Sequence, residues 1–208
     1  MAQIRPWFMP WQHPVHERLT AAAAAQLGFS AVDTKRLVQG NLDNDLSAHL
    51  LGTYRRQWGN DYQPAHCLRK REHVGDDADR QALAATTAFV LSATLQAWQA
   101  QAVGDRRRAL FWGGKALHTV QDSYFHADRN AQGEITHVRR YLGRGADHDA
   151  AIDAGWDRQG NLSLQYRGAE QAGLAYLRLL QLAFAAKERS TVAEMVRSFC
   201  AALFRLAG

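Results

Sequence analysis

The chain has 208 residues, 47% hydrophobic and 22% charged, with only 4 Pro and 2 Cys, which predicts one soluble domain that buries roughly 70% of its unfolded surface without disulfide staples. No apolar run approaches the ~20 residues of a membrane-spanning helix. The net charge is +5, but the basic residues are spread along the chain and carry no nucleic-acid footprint; Cys67 and Cys200 form no C-x-x-C pair and read as small buried residues.

The first 15 residues are irregular and aromatic (Trp7, Phe8, Trp11). They lack the apolar stretch of a secretion signal, which predicts a cytoplasmic protein. Residues 16–27 are Ala-rich and suit a helix stopped by Gly28. Ser30-Ala31-Val32-Asp33 resembles a capping box opening a short helix that ends at Gly40. Residues 41–75 turn to Asn, Asp, Gly, His and Arg and read mostly as loop, with a helical stretch at 46–54. Residues 79–103 lack Gly and Pro and repeat their apolar positions at three and four, the pattern of a buried helix. Gly104-Asp105 breaks and recaps the chain, and a second long helix covers 106–126, its Arg106-Arg107-Arg108 start being a solvated turn. Gly133, Gly143 and Gly145 mark an irregular stretch, 147–156 a shorter helix and 161–166 a brief extended segment. Two amphipathic helices close the chain at 167–187 and 191–206, the second opened by Thr191-x-x-Glu194. Alternating Val/Ile/Thr blocks and Asn-Gly turns are missing. The expected fold class is therefore all-α, a single-domain helical bundle with its ligand-bearing region at 16–153.

All nine histidines lie before residue 149, and residues 169–208 contain neither His nor Asp. This predicts a site in the first three quarters of the chain, propped by an inert helical pair. Its strongest signal is Gly113-Gly114-Lys115-Ala116-Leu117-His118-Thr119-Val120-Gln121-Asp122-Ser123-Tyr124-Phe125-His126. His118, Asp122 and His126 recur every four residues and share one helix face, and imidazole nitrogen with carboxylate oxygen is the donor set of zinc and similar divalent ions. Paired glycines in a helix cost about 1 kcal/mol each against Ala, which close approach of another backbone explains. Further ligands must come from loops: Asp43 and Asp45, His66, and His148-Asp149 with Asp153. His49 and His73 read as surface or hydrogen-bonded histidines, with His73 in reserve for His66. Tyr124 and Phe125 read as a cleft wall or core, and Arg139, Arg140 and Arg144 as a solvated loop.

These residues resemble the zinc-dependent phospholipase C and single-strand nuclease superfamily with its Het-C-like relatives. The resemblance rests on an early Trp11 and His16, the Gly40-Asn41-x-x-x-Asp45 loop, a lone His66, the Leu-His-Thr-x-Gln-Asp-x-x-x-His helix and a late His/Asp group, and it covers residues 11–153. It implies an all-α domain whose cleft holds two to three divalent ions, zinc above all. Asp45, His66, His118 and Asp122 would hold one ion, with Asp122 bridging to a second near His16. His126 with His148, Asp149 or His137 would hold a third.

The resemblance implies hydrolysis of a phosphodiester or phosphomonoester, on a small molecule or a lipid headgroup, with Asp45 and Asp122 as the catalytic carboxylates. Clustered dications supply hydroxide near neutral pH and neutralise developing phosphoryl charge. Two alternatives stand beside it: a divergent intracellular metalloenzyme acting on another small molecule with iron or manganese, and a helical binding module with a structural metal. An HD-type phosphohydrolase is excluded, because His148-Asp149 has no later helical Asp to pair with.

Overall fold

The computed structural model describes residues 15–45, 59–140 and 164–208, which are mainly helical. In chain order they form α1 (Val15–Gln26), α2 (Ala31–Leu42), a 3-10 helix (Asn60–His66), α3 (Ala78–Ala102), α4 (Arg106–Phe125), β1 (Ala127–Arg129), β2 (Ile135–Val138), α5 (Leu164–Ala185) and α6 (Arg189–Leu203). The expected helices at 46–54 and 147–156 lie outside the described residues, as do Trp7, Phe8, Trp11, His49 and Arg144. No helix of the described residues is long and apolar enough to cross a membrane.

Local chemistry sets the main boundaries. Gly28 takes φ +72° just past α1, a left-handed turn that a side chain would strain. Ser30 Oγ accepts the amide of Asp33 at 3.1 Å and caps α2. Gly104 at φ +80° ends the run of α3, and the Asp105 carboxylate accepts the amide of Arg108 at 3.0 Å to start α4.

Helix α4 is the axis of the molecule and packs against α2, α3 and α5. From Ala116 to Ser123 every residue is buried, so α4 is enclosed all round and its polar side chains need internal partners. The main core joins Leu110, Leu117 and Val120 of α4 to Leu37, Val90, Leu177, Leu180 and Val196. In that core the Tyr176 hydroxyl is bonded to Thr94 Oγ1 at 3.0 Å. A smaller cluster of Val15, Leu19, Phe125 and Ala169 ties α1 to the end of α4 and the start of α5.

The glycines of α4 explain how α2 sits so close. A Cβ on Gly114 would lie 2.1 Å from the carbonyl oxygen of Leu37, and one on Gly40 would lie 1.9 Å from that of Phe111. The two helices therefore meet backbone to backbone through reciprocal glycines. Gly113 instead faces the Leu180 side chain, 2.5 Å from its would-be Cβ. The same contact corrects one expectation: α2 does not stop at Gly40 but runs to Leu42, because Gly40 is a packing residue and not a terminator.

Three further boundaries differ from the sequence reading. Leu164 to Tyr166 are helical, not extended; Tyr166 packs onto the Val15–Phe125 cluster as part of α5. Helix α6 opens at Arg189, two residues before Thr191. A two-stranded hairpin stands where no strand was expected, pairing Ala127 with Val138 and Asp128 with His137. Its turn is held by Asn130 Oδ1, which accepts the amides of Gln132 (3.0 Å) and Glu134 (2.9 Å), and by Gly133 at φ +77°. Ile135 then bonds the C-terminal segment, donating to Arg205 O at 2.7 Å and accepting from Ala207 N at 2.9 Å.

Candidate metal centre

The centre is assembled from α4 and three elements around it. His118 and Asp122, one turn apart on α4, are 0% and 2% exposed. His66 closes the 3-10 helix, which α4 holds through the Thr119 hydroxyl donating to Ala65 O at 2.6 Å. Cys67, in left-handed backbone at φ +53°, turns the chain away immediately afterwards. Asp45 follows α2 in a turn fixed to α4 by Asn44 Nδ2 donating to Lys115 O (3.0 Å) and by the Lys115–Asp43 ion pair (2.8 Å). His16 comes from the first turn of α1.

The donor atoms are closely spaced. His118 Nε2 lies 2.8 Å from Asp122 Oδ2 and 3.0 Å from His66 Nδ1, and His66 Nδ1 lies 3.0 Å from Asp122 Oδ2. Asp45 Oδ1 is 3.6 Å from both imidazole nitrogens. A tetrahedral zinc with ligand bonds near 2.0–2.2 Å separates its donors by about 3.3–3.6 Å, so the four atoms need only small shifts to surround an ion. The other Asp122 oxygen, Oδ1, faces His16 Nε2 at 3.0 Å. The groups able to hold a metal among the described residues are His66, His118 and Asp122, and His16, Asp45 and His118.

The electrostatics suit such an ion. Burial alone would raise the pKa of Asp122, but His118, His126 and His16 hold its carboxyl well below the usual carboxylate range. Burial pulls His118 down despite Asp122 beside it, which favours the neutral, ligating imidazole. At His16 burial also acts downward, yet the charges of Asp122 and Asp45 with the bonds to Asp122 and Gln121 outweigh it and lift the ring to about 9. The centre thus keeps an ionised carboxylate among buried histidines.

Other expected ligands are placed differently. His126 caps α4 and donates from Nδ1 to His66 O at 2.6 Å, with the same nitrogen 3.7 Å from Asp122 Oδ2; it braces the His66 backbone. His137 stands away from the centre, against Asp79 Oδ2 at 3.5 Å and Arg69 Nη2 at 3.1 Å. His148, Asp149 and Asp153 lie outside the described residues. His73 accepts from the Lys70 amide at 3.2 Å in a loop of its own. Asp43 pairs with Lys115, Arg139 with Asp128 (2.7 Å), and Arg140 donates to His73 O (2.5 Å). Phe125 is core, whereas Tyr124 is half-buried under the Arg129 guanidinium, 4.3 Å from its ring.

Sequence reasoning gave no role to Asn41, Gln121 and Thr20, all 0% exposed behind the histidines. Asn41 Oδ1 accepts from His118 Nδ1 at 3.2 Å, and Gln121 Oε1 accepts from His16 Nδ1 at 2.9 Å. Asn41 Nδ2 donates to Gln121 Oε1 (2.9 Å) and to Thr20 Oγ1 (3.0 Å). The available signal was position: Gln121 adjoins Asp122 on an enclosed helix, and Asn41 follows the packing residue Gly40, so both amides had to be buried.

No family model, curated protein or solved structure significantly matches this chain.

Proposed function

We propose that the protein is a metal-dependent hydrolase of phosphate esters, built as a helical bundle of the phospholipase C and nuclease type. Asp45, His66, His118 and Asp122 would hold one divalent ion, zinc by the chemistry of the donor set, and Asp122 Oδ1 with His16 would hold a second. The observation that carries this reading is Asp122: a buried, ionised carboxylate with one oxygen between His118 and His66 and the other against His16. Such an arrangement of donor atoms around a kept anion is what divalent ions require.

When bound, such an ion supplies Lewis acidity toward a phosphoryl oxygen and lowers the pKa of water near neutrality. The chain's own residues supply the rest. Asp45, with a side chain 28% exposed, stands at the open edge of a centre in which His66, His118 and Asp122 are buried and His16 is half-buried. With Oδ1 turned to the ion, the other oxygen of this carboxylate would be left to orient a water and accept its proton. Asp122, nearly excluded from solvent, holds its charge and keeps the histidines facing inward. Phosphate esters need this assistance because their own negative charge repels a nucleophile.

The test is metal analysis of protein purified without added metal, followed by turnover of bis-p-nitrophenyl phosphate. At least one divalent ion per chain, and activity lost to chelator and restored by Zn2+, support the reading. A folded protein that takes up no metal and turns over no phosphate ester would end it.

A further inference from the structure

Asn41, Gln121 and Thr20 form one buried polar unit behind two of the donor histidines. Its amide hydrogens fix how the two amides are turned. Asn41 Nδ2 directs its two hydrogens to Gln121 Oε1 (2.9 Å) and Thr20 Oγ1 (3.0 Å), while Gln121 Nε2 points at the same hydroxyl from 3.5 Å. A hydroxyl oxygen accepts two hydrogens but donates one. Turning both amides over would therefore set two amide oxygens against a single hydroxyl hydrogen. With the amides so oriented, Asn41 Oδ1 faces His118 Nδ1 (3.2 Å) and Gln121 Oε1 faces His16 Nδ1 (2.9 Å), and an oxygen facing a ring nitrogen requires that nitrogen to carry the proton.

We infer that Asn41 and Gln121 are positioning residues, a coupled amide pair that holds a proton on Nδ1 of His118 and of His16 and so leaves Nε2 as the nitrogen that each ring offers to the centre. This rests on the metal-centre reading for its purpose, because Nε2 is the nitrogen that faces Asp122 in both rings. The two rings are coupled: Asn41 bonds His118 directly and reaches the Nδ1 acceptor of His16 through Gln121 Oε1.

The experiment compares Gln121→Met, which keeps volume and removes the acceptor, with Gln121→Glu, which keeps the acceptor and adds charge. Zn2+ titration of the full-length chain and ring 15N spectra are the readouts. Loss of a partner behind a metal-binding His costs about 10–100-fold in affinity, so Gln121→Met should weaken Zn2+ binding in that range and Gln121→Glu should stay near the parent. A purely packing role predicts the reverse order and would overturn the inference. A metal-free parent protein in which Nδ1 of His118 or of His16 carries no proton would overturn it too. If the parent takes up no Zn2+, the metal reading fails, while those metal-free spectra still decide the positioning one. Should Gln121→Met not fold, Asn41→Asp serves. It keeps the acceptor opposite His118 and removes the donor to Gln121 Oε1, so the Gln121 amide turns and His16 Nδ1 loses its hydrogen-bond acceptor while His118 Nδ1 keeps its own. An unchanged His16 refutes the coupling.

Discussion

Replacing Gly114 by Ala tests whether the close approach of α2 and α4 is what builds the centre. The new Cβ would stand 2.1 Å from Leu37 O and 2.8 Å from Asn41 N, both backbone atoms. A carbon and a carbonyl oxygen come no closer than about 3.3 Å, so α2 must retreat by about 1 Å. Alanine gains about 1 kcal/mol over glycine in a helix interior, but overpacking of a rigid contact costs about 1–3 kcal/mol. The retreat also stretches the Asn41 bonds to His118 (3.2 Å) and Gln121 (2.9 Å), each contributing about 1 kcal/mol. The net expectation is a loss of about 2–4 kcal/mol, together with weaker Zn2+ binding because the brace behind His118 moves. Urea unfolding followed by circular dichroism and Zn2+ titration measure the two effects. Gly113→Ala is the matched comparison: its Cβ meets the far end of the Leu180 side chain at 2.5 Å, which can rotate away. Gly133→Ala is the second control, where φ +77° strains a side chain but nothing stands within 4 Å. Gly114→Ala as stable as the parent, or no worse at binding metal than Gly113→Ala, would refute the argument.

Further outcomes follow from the same geometry. Asp122→Asn removes the anion shared by His118, His66 and His16, and should lower Zn2+ affinity by more than about 100-fold by titration, whereas His73→Ala should leave it unchanged. In the metal-free protein the His16 ring is lifted from 6.5 to about 9. Stability from that group is complete below pH 6.5 and is lost as pH rises through about 9; thermal denaturation from pH 6 to 10 should fall accordingly, and much less in Asp122→Asn. Burial pushes the thiols of Cys67 and Cys200 up to about 12, so a thiol-titrating reagent at pH 8 should label neither until denaturant is added.

Helices carried by local chemistry were readable from residue order alone. Gly28, Ser30, Gly104 and Asp105 act where their conformational and capping preferences put them. What misled was tertiary. Gly40 has the composition of a stop signal, but the partner helix needs its missing Cβ more than the chain needs a terminus there. The hairpin after α4 is short enough that Ile135 and Val138 give almost no alternation to detect. Its stability comes from Asn130, Gly133 and the C-terminal segment bonded to Ile135.

The centre shows the same division. A four-residue spacing brings His118 and Asp122 onto one face wherever the helix lies, and the structure adds His66, Asp45 and His16 from the segments that the donor types marked out. His126 stands apart from His118 and Asp122, because helix periodicity says nothing of where a helix ends. At the C-cap its Nδ1 bonds the His66 carbonyl and lies 3.7 Å from Asp122 Oδ2. His137 has the right chemistry but lies on β2, where Asp79 and Arg69 engage it. Position relative to an enclosed helix therefore discriminates better than residue type. On α4, each polar side chain from His118 to Asp122 must be satisfied inside the protein, and the arrangement satisfying them leaves four donor atoms turned toward one point. The anion of Asp122, with histidine nitrogens of three elements as its nearest neighbours, makes it the residue whose replacement tests the proposed centre most directly.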